Sequence, residues 1–298
     1  MGSFSLRQAE RCGSSGASSS RDTTLRSTVW PMVAKRAAPE IDRLVFAVHR
    51  MARRVAHDEL LVALDAVGLV TAGRLDGVID LLAAGKLTRE SAALRHRYAP
   101  PGDVDAFLAE WVSAGRLSIR DGRYVASEGL HALMRVIQTA RATAAAELWR
   151  DHRDTVDDVA AMSAEVLASS GPSPLLDAFA NVTLPGHAEL RLFALLERLR
   201  YLRNDAHAAA WMAAGVSAAD MVELTPLWIG QDPRGDEVTM ASLGERGLVS
   251  GGDLTEHGRS VRDAIEAETN RLSEPAFEVL GERGDRFVDL LRALPSEH

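Results

Sequence analysis

The sequence predicts a mainly α-helical protein, and three observations carry that prediction. Ala and Leu are strong helix formers, and they recur at helical spacing through long stretches of the chain. Aromatic residues are only 5% of the 298 residues, and with few Ile, Thr or Tyr a large sheet has little to build on. The strand signals are short and sit beside two turns, Asp121-Gly122 and Gly251-Gly252. Apolar residues make up 46%, ample for a packed core, and the length fits one large domain or two ordinary ones.

Residues 1–38 read as a disordered extension, because Gly13-Ser14-Ser15-Gly16 and Ser18-Ser19-Ser20 offer no apolar surface to bury. Met32 reads as a candidate start, with residues 1–31 an added or mis-assigned segment and, alternatively, a basic arm for nucleic acid. Structure is expected from Pro39. Ile41, Leu44, Val45, Val48, Ala52, Val55, Leu60, Leu61 and Leu64 keep helical spacing over 40–66, which Gly68 ends. A second helix is expected over 71–84, up to Gly85.

Leu87-Thr88-Arg89-Glu90 then opens a helix through Arg97. Pro100-Pro101-Gly102 turns the chain, and Asp103 caps a helix to Ala114 whose Val104, Phe107, Leu108, Trp111 and Val112 share a face. Leu117–Arg120 and Arg123–Ala126 flank the Asp-Gly turn as a hairpin, and a long helix follows over 128–150. Helices near 154–169, 173–180 and 187–214 come next, with Pro172 and Pro185 at the breaks. Part of the earlier order then returns: a helix 236–246, a short hairpin around Gly251-Gly252, and a helix 256–272 that Pro275 ends. A last helix covers 284–294. Gly115-Arg116-Leu117-Ser118 matches Gly247-Leu248-Val249-Ser250, and Ser127-Glu128-Gly129 matches Thr255-Glu256-His257-Gly258. Helix, turn, helix, hairpin, long helix is the order of a winged helix-turn-helix. The expected architecture is therefore mainly α, with tandem winged helix-turn-helix units, short β-hairpin wings and long flanking helices. Its divisions are 39–150, with the N-terminal helices and first unit, and 151–298, with a helical segment and the second.

Composition narrows the function. The lone cysteine, Cys12, leaves neither an intrachain disulfide nor a Cys-rich zinc site. No His-Glu-x-x-His, Walker, dinucleotide or Gly-x-Ser-x-Gly fingerprint is present, so no catalytic residue, metal or cofactor is assigned. His49 and His57 stand about 12 Å apart along one helix, too far for one ion. No apolar run approaches a membrane helix and no secretory signal is visible, so a cytoplasmic protein without a membrane partner is expected. Residues 1–40 hold six bases against three acids, a local net of +3 within a total of −8, which leaves −11 for the rest. A body that acidic repels phosphate unless its bases cluster.

Leu254-Thr255-Glu256-His257-Gly258-Arg259 resembles the Leu-Thr-x-x-Gly-Arg sequence that closes the wing of MarR-like regulators. A wider stretch, residues 194–282, is similar to a SalK-like helix-turn-helix family of actinobacteria. It holds Leu199-Arg200-Tyr201-Leu202-Arg203-Asn204-Asp205-Ala206-His207, Ala213-Ala214-Gly215-Val216, and Ala264 to Leu272 before Pro275. His49 and Tyr98-Ala99-Pro100 are looser matches. The resemblance implies a tandem winged-helix fold, DNA-binding regulation and a homodimer paired through flanking helices.

The residues divide over that implication. Helices 103–116 and 236–246, the expected groove readers, each carry a net charge near −2, with one Arg at the last position (Arg116, Arg246) and no Lys, Asn or Gln to read bases. The bases of the first unit lie elsewhere, so Arg89, Arg95, Arg97, Arg120 and Arg123 are the candidate DNA contacts, the last two on the wing. Arg200, Arg203 and His207 fall at i, i+3 and i+7 on one helix face, with Asp205 pointing elsewhere. With Asp205 and His49 they form the candidate ligand set, suited to a carboxylate or phosphate or to placing His207 as a general base; the bland alternative is a satisfied structural face. Two readings follow. One is a DNA-binding regulator responsive to a small molecule. The other is a small-molecule-binding protein or biosynthetic enzyme on the same scaffold that has lost DNA binding. A protein–protein adaptor is a third.

Overall fold

The computed structural model describes residues 32–296, which fall in one packed unit. Fourteen α-helices and two small antiparallel hairpins appear among the described residues. None of the helices is long and apolar enough to cross a membrane.

Helix α1 spans Val33–Val55 and buries the stripe Ile41, Leu44, Val45, Val48 and Met51. It begins six residues before Pro39, contrary to the expected extension to residue 38. The cause is distant in sequence. The Glu274 carboxylate accepts from the backbone N–H of Val33 and Ala34 at 2.8 and 2.9 Å. It thereby satisfies two of the N–H groups that a helix start leaves free, and an acid there suits the helix dipole. Residues 1–31 of the expected extension lie outside the described residues. The expected 40–66 helix breaks at Ala56, where α2 (His57–Ala66) begins. The expected 71–84 helix is two short pieces, α3 (Gly73–Asp76) and α4 (Ile79–Ala83). Between them Gly77 lies against the His96 ring, where a Cβ would stand only 2.9 Å away.

Helix α5 (Arg89–Arg95) starts with a capping box between Thr88 and Ser91. Helix α6 (Asp103–Ser113) buries Phe107, Leu108 and Trp111. Strands β1 (Leu117–Arg120) and β2 (Arg123–Ala126) pair from Leu117↔Ala126 to Arg120↔Arg123. Asp121 and Gly122 both take positive φ, 50° and 73°, as a type I′ turn requires. Helix α7 (Glu128–Trp149) is capped by Ser127, whose side chain accepts from Leu130 N–H.

After a short 3-10 turn come α8 (Arg153–Ser169), α9 (Pro174–Phe179) and α10 (Ala188–Ala213). Helix α11 (Ala218–Trp228) was not foreseen, although Ser217 and Asp220 form a capping box like that of α5. Then follow α12 (Glu237–Glu245), β3 (Val249–Ser250), β4 (Asp253–Leu254) and α13 (Glu256–Phe277). Helix α14 (Gly284–Ala293) closes the chain. Helix α13 runs through Pro275 rather than ending before it. Ser273, Ala276 and Phe277 are buried beyond the expected stop, and that packing sustains the turn despite one missing N–H.

The order helix, helix, hairpin, long helix thus occurs twice, as α5-α6-β1-β2-α7 and α11-α12-β3-β4-α13. The hydrogen bonds fix the correspondence. Ser127 N–H donates to Arg116 O, and Thr255 N–H to Leu248 O. Thr255 caps α13 by accepting from Gly258 N–H, so Gly258 corresponds to Leu130. The sequence match that set Gly129 beside Gly258 is therefore one residue out. The main core gathers under α1, α7, α8, α10 and α14. A separate, smaller cluster under the second hairpin joins Trp211, Met221, Leu224, Leu243, Leu248 and Ile265.

Candidate functional site

Helix α10 packs against α1, α7, α8, α9 and α13. A helix so enclosed carries its polar side chains into the interior, where each must find a partner. This is how its arginines and histidine come to line cavities.

Arg200, Arg203 and His207 do share a face, and they line one cavity of about 380 Å³ between α1, α10 and α13. Arg200 Nε donates to Asp42 at 2.6 Å, and its guanidinium lies 4.6 Å over the Phe46 ring. Arg203 donates to Asn270 at 2.9 Å and to Glu266 at 2.7 Å. Burial acts to raise the Glu266 carboxyl, but Arg262 and Arg203 outweigh it and hold it below the ordinary range. Thr269 Oγ1 donates its one proton to Ile265 O at 2.7 Å. The 2.9 Å contact between His207 Nδ1 and Thr269 Oγ1 is then an Nδ1–H donation, which leaves Nε2 as an acceptor. Burial, with Arg262 and Arg203 nearby, lowers the His207 pKa to about 4, so the ring is neutral at pH 7. The same cavity is lined by Asn204, whose Oδ1 is buried with no hydrogen-bond partner, and Arg95, whose Nε is likewise unpartnered.

Asp205 belongs to a different structure. It accepts from Arg97 at 2.5 Å, from Ser173 Oγ, and from Leu175 N–H at 2.8 Å. It holds the start of α9 and does not join the ligand set. His49 also departs from the other three. Its Nε2 lies 3.3 Å from Glu197 Oε1, its ring packs edge-on to Phe193 at 5.3 Å, and it lines a separate small cavity further along α1.

Only part of the expected DNA surface faces outward. Arg97 is turned into the Asp205 pair, with 13% of its side chain exposed. Arg95 lies 5.5 Å over the Tyr201 ring and lines the same 380 Å³ cavity as Arg200, Arg203 and His207. These two positions face inward because the α5 C-terminal turn packs toward α9 and α10 rather than solvent. Arg89 is exposed but bidentate to Asp105 at 2.6 and 2.7 Å. Arg120 and Arg123 are exposed and opposite one another on the first hairpin. The exposed face of α6 carries Asp105, Ala106, Ala109, Glu110 and Ser113; that of α12 carries Glu237, Val238, Ala241, Ser242 and Glu245. Among the described residues no group of His, Cys, Asp or Glu is arranged to hold a metal ion.

A second polar cluster escaped the sequence reading. Arg141 and Glu197 are 3% and 4% exposed, beside a cavity of about 410 Å³ that Asp80 and Tyr201 also line. Burial pushes the Glu197 carboxyl up, but the His49 hydrogen bond and the Arg141 charge outweigh it and hold it at about 2. Burial also raises the Tyr201 hydroxyl and, with the Glu197 charge, the Asp80 carboxyl. A signal did exist: Arg141 interrupts the apolar stripe Leu130, Leu133, Met134, Ile137, Ala144, Leu148 of α7.

No curated protein and no solved structure matches the chain. A family model described as a helix-turn-helix family matches residues 123–297, more than half of the chain. That span begins in β2 and takes in the whole second helix, helix, hairpin, helix order together with α10 and its cavity-lining side chains. The chain belongs to this helix-turn-helix family.

Proposed function

We propose that the protein is a DNA-binding regulator that responds to a small molecule held between α1, α10 and α13. Family membership supports DNA-binding regulation at a coarse level. The repeated element order and its matching caps favour two winged units, one in 39–150 and one in 151–298, in the manner of MarR-like and SalK-like proteins. Arg120 and Arg123 are the phosphate contacts in this reading, and the second hairpin, with no cation, makes none.

The observation that carries the ligand site is the convergence of Arg200, Arg203 and neutral His207 on one cavity, two of whose lining residues, Asn204 and Arg95, each carry an unsatisfied buried polar atom. Buried polar atoms without partners are costly, and a ligand that pairs with Asn204 Oδ1, Arg95 Nε and His207 Nε2 removes that cost. Its size fits a small-molecule site. The test is a fluorescence-anisotropy titration against the DNA upstream of the protein's own coding sequence, at low and physiological salt. Specific binding at physiological salt, weakened by Arg120→Ala with Arg123→Ala, supports the regulator. Binding untouched by both changes removes the wing from the reading. The homodimer is tested by light scattering.

A second reading keeps the cavity and drops the DNA. The acidic, cation-poor faces of α6 and α12 favour it, since a groove-reading helix needs cations or amides. No binding even at low salt decides for it.

A further inference from the structure

We propose that the 410 Å³ cavity between α4, α7 and α10 is a second, independent small-molecule site, for an uncharged planar ring compound carrying a hydrogen-bond donor beside an acceptor. It shares Tyr201 with the first cavity and none of the residues to which the regulator reading assigns a role.

The polar end of the site is built around Arg141. This side chain is 3% exposed and its Nε has no hydrogen-bond partner among the described residues. What partners the guanidinium has are distant: Nη2 to Asp76 O and Oδ1 at 3.4 Å, and Nη1 to Asp80 Oδ1 at 4.0 Å. The last separation is beyond hydrogen-bond reach. A buried guanidinium normally binds carboxylates closely and bidentately, so Arg141 lines the cavity with unused donor capacity, and Asp80, beside Gln138, with acceptor capacity that Arg141 does not take up. A ligand acceptor answers Arg141, and a ligand donor beside it answers Asp80.

The charge balance selects an uncharged compound. Asp76, Asp80 and Glu197 lie near Arg141, and Arg198 adds one further cation at the cavity while donating to Val182 O. The two acids that line the cavity, Asp80 and Glu197, are already balanced by two bases, Arg141 and Arg198, so an added carboxylate brings an uncompensated charge into a poorly solvated place. The walls set the ring: Phe193 carries the Arg141 guanidinium 5.8 Å above its face, and Phe179 and Tyr201 meet with centroids 4.5 Å apart and planes tilted by 36°. The volume lies within the range of drug-sized sites. The rim is formed by the segment between α9 and α10, where Thr183 is exposed.

The test titrates the full chain with 2-quinolone, a neutral lactam, and reads fluorescence and heat. The expected result is saturable one-to-one binding, weaker by tenfold or more for N-methyl-2-quinolone, which lacks the donor, and for 2-naphthoate, which is anionic. Arg141→Gln is expected to lose tenfold or more. Thr183→Trp, which narrows the mouth from an exposed position and leaves the core alone, is expected to do the same. Arg203→Gln, in the first cavity, is expected to stay within twofold of the parent. Absence of saturable binding overturns the proposal, as does binding that Thr183→Trp leaves intact or that only Arg203→Gln removes. Tighter binding of 2-naphthoate overturns the uncharged class. None of these outcomes depends on whether the protein binds DNA.

Discussion

The two helix, helix, hairpin segments share an order and differ in how they are held. In the first, Phe107, Leu108 and Trp111 of α6 join the main core, continuous with α1, α7 and α10. In the second, Leu243, Leu248 and Val249 belong to a small separate cluster with Trp211, Met221 and Leu224. The acids of α6 are each met by an arginine from outside the helix: Asp103 by Arg74, Asp105 by Arg89, Glu110 by Arg116. The start of α12 is instead tied inward, where buried Glu223 accepts from Gly235 N–H at 3.0 Å. One order of elements therefore serves as a built-in wall of the core in one place and as a nearly self-contained module in the other. Stability need not be uniform across such a structure.

Truncating each core tests that difference most directly. Phe107→Ala should cost about 3–5 kcal/mol and move the whole denaturation curve. Leu243→Ala should cost about 2–5 kcal/mol, with hydrogen exchange quickening through residues 218–262 while α1 and α7 keep their protection. Equal loss of protection in α1 and α7 would show that the second segment has no cooperativity of its own.

The two glycines that the sequence match set side by side sharpen the point. A Cβ on Gly258 would stand 2.0 Å from the Leu248 carbonyl oxygen, a backbone atom that cannot step aside cheaply. Gly258→Ala should therefore destabilise by about 3 kcal/mol, the upper part of the usual overpacking range. On Gly129 the Cβ would meet only the Val67 Cγ1 at 3.3 Å, and alanine is the better helix former by about 1 kcal/mol. Gly129→Ala should change stability by less than about 1 kcal/mol in either direction. Paired thermal melts check both, and a mild Gly258→Ala would undo the assigned cap geometry.

These cases also show what the sequence could and could not reveal. Period and punctuation were enough for α5, both hairpins and α7, because caps such as Thr88 and Ser127 and the Asp121-Gly122 turn act on their near neighbours; α6 followed from its apolar spacing, although Gly102 and not the expected Asp103 stands at its N-cap. They failed where the cause is remote. The cap of α1 comes from Glu274, and α13 outlasts Pro275 because Ala276 and Phe277 are buried. Helix α11 was missed although its capping box was legible. At the site, the shared face of Arg200, Arg203 and His207 followed from spacing alone. The inward turn of Arg95 and Arg97 did not, since Arg95 ends a seven-residue helix and Arg97 lies past it, where spacing does not say which side meets α10. Arg141 needed one further step, reading a charge inside an apolar stripe as a buried group.

His207 offers a pH test of the cavity beside the second segment. Its folded pKa, about 4, lies below the ordinary histidine value of 6.5. Between those values the unfolded chain binds the proton more readily, so this contribution is fully present above pH 6.5 and is lost as pH falls toward 4. The size is about 1–3 kcal/mol. The parent should therefore lose more stability than His207→Gln between pH 7 and pH 4.5, measured by urea unfolding at each pH. Parallel profiles would mean that the ring is not held neutral.

The smallest expected effect on stability belongs to the wings, and it separates their roles. Arg120 and Arg123 are exposed, and no described residue forms an ion pair with either, so Arg120→Ala with Arg123→Ala should shift stability by less than about 0.5 kcal/mol. If each meets one phosphate, the slope of log affinity against log salt should fall by about 2. On the second wing, Asp253→Lys places a cation at an exposed strand position of a hairpin that carries none of its own. A wing that faces DNA would gain about one unit of salt slope from that charge; one that does not would gain nothing. The expected result is a loss on the first wing and no gain on the second. A gain from Asp253→Lys would mean that both segments approach the duplex and that the acidic face of α12 lies against it.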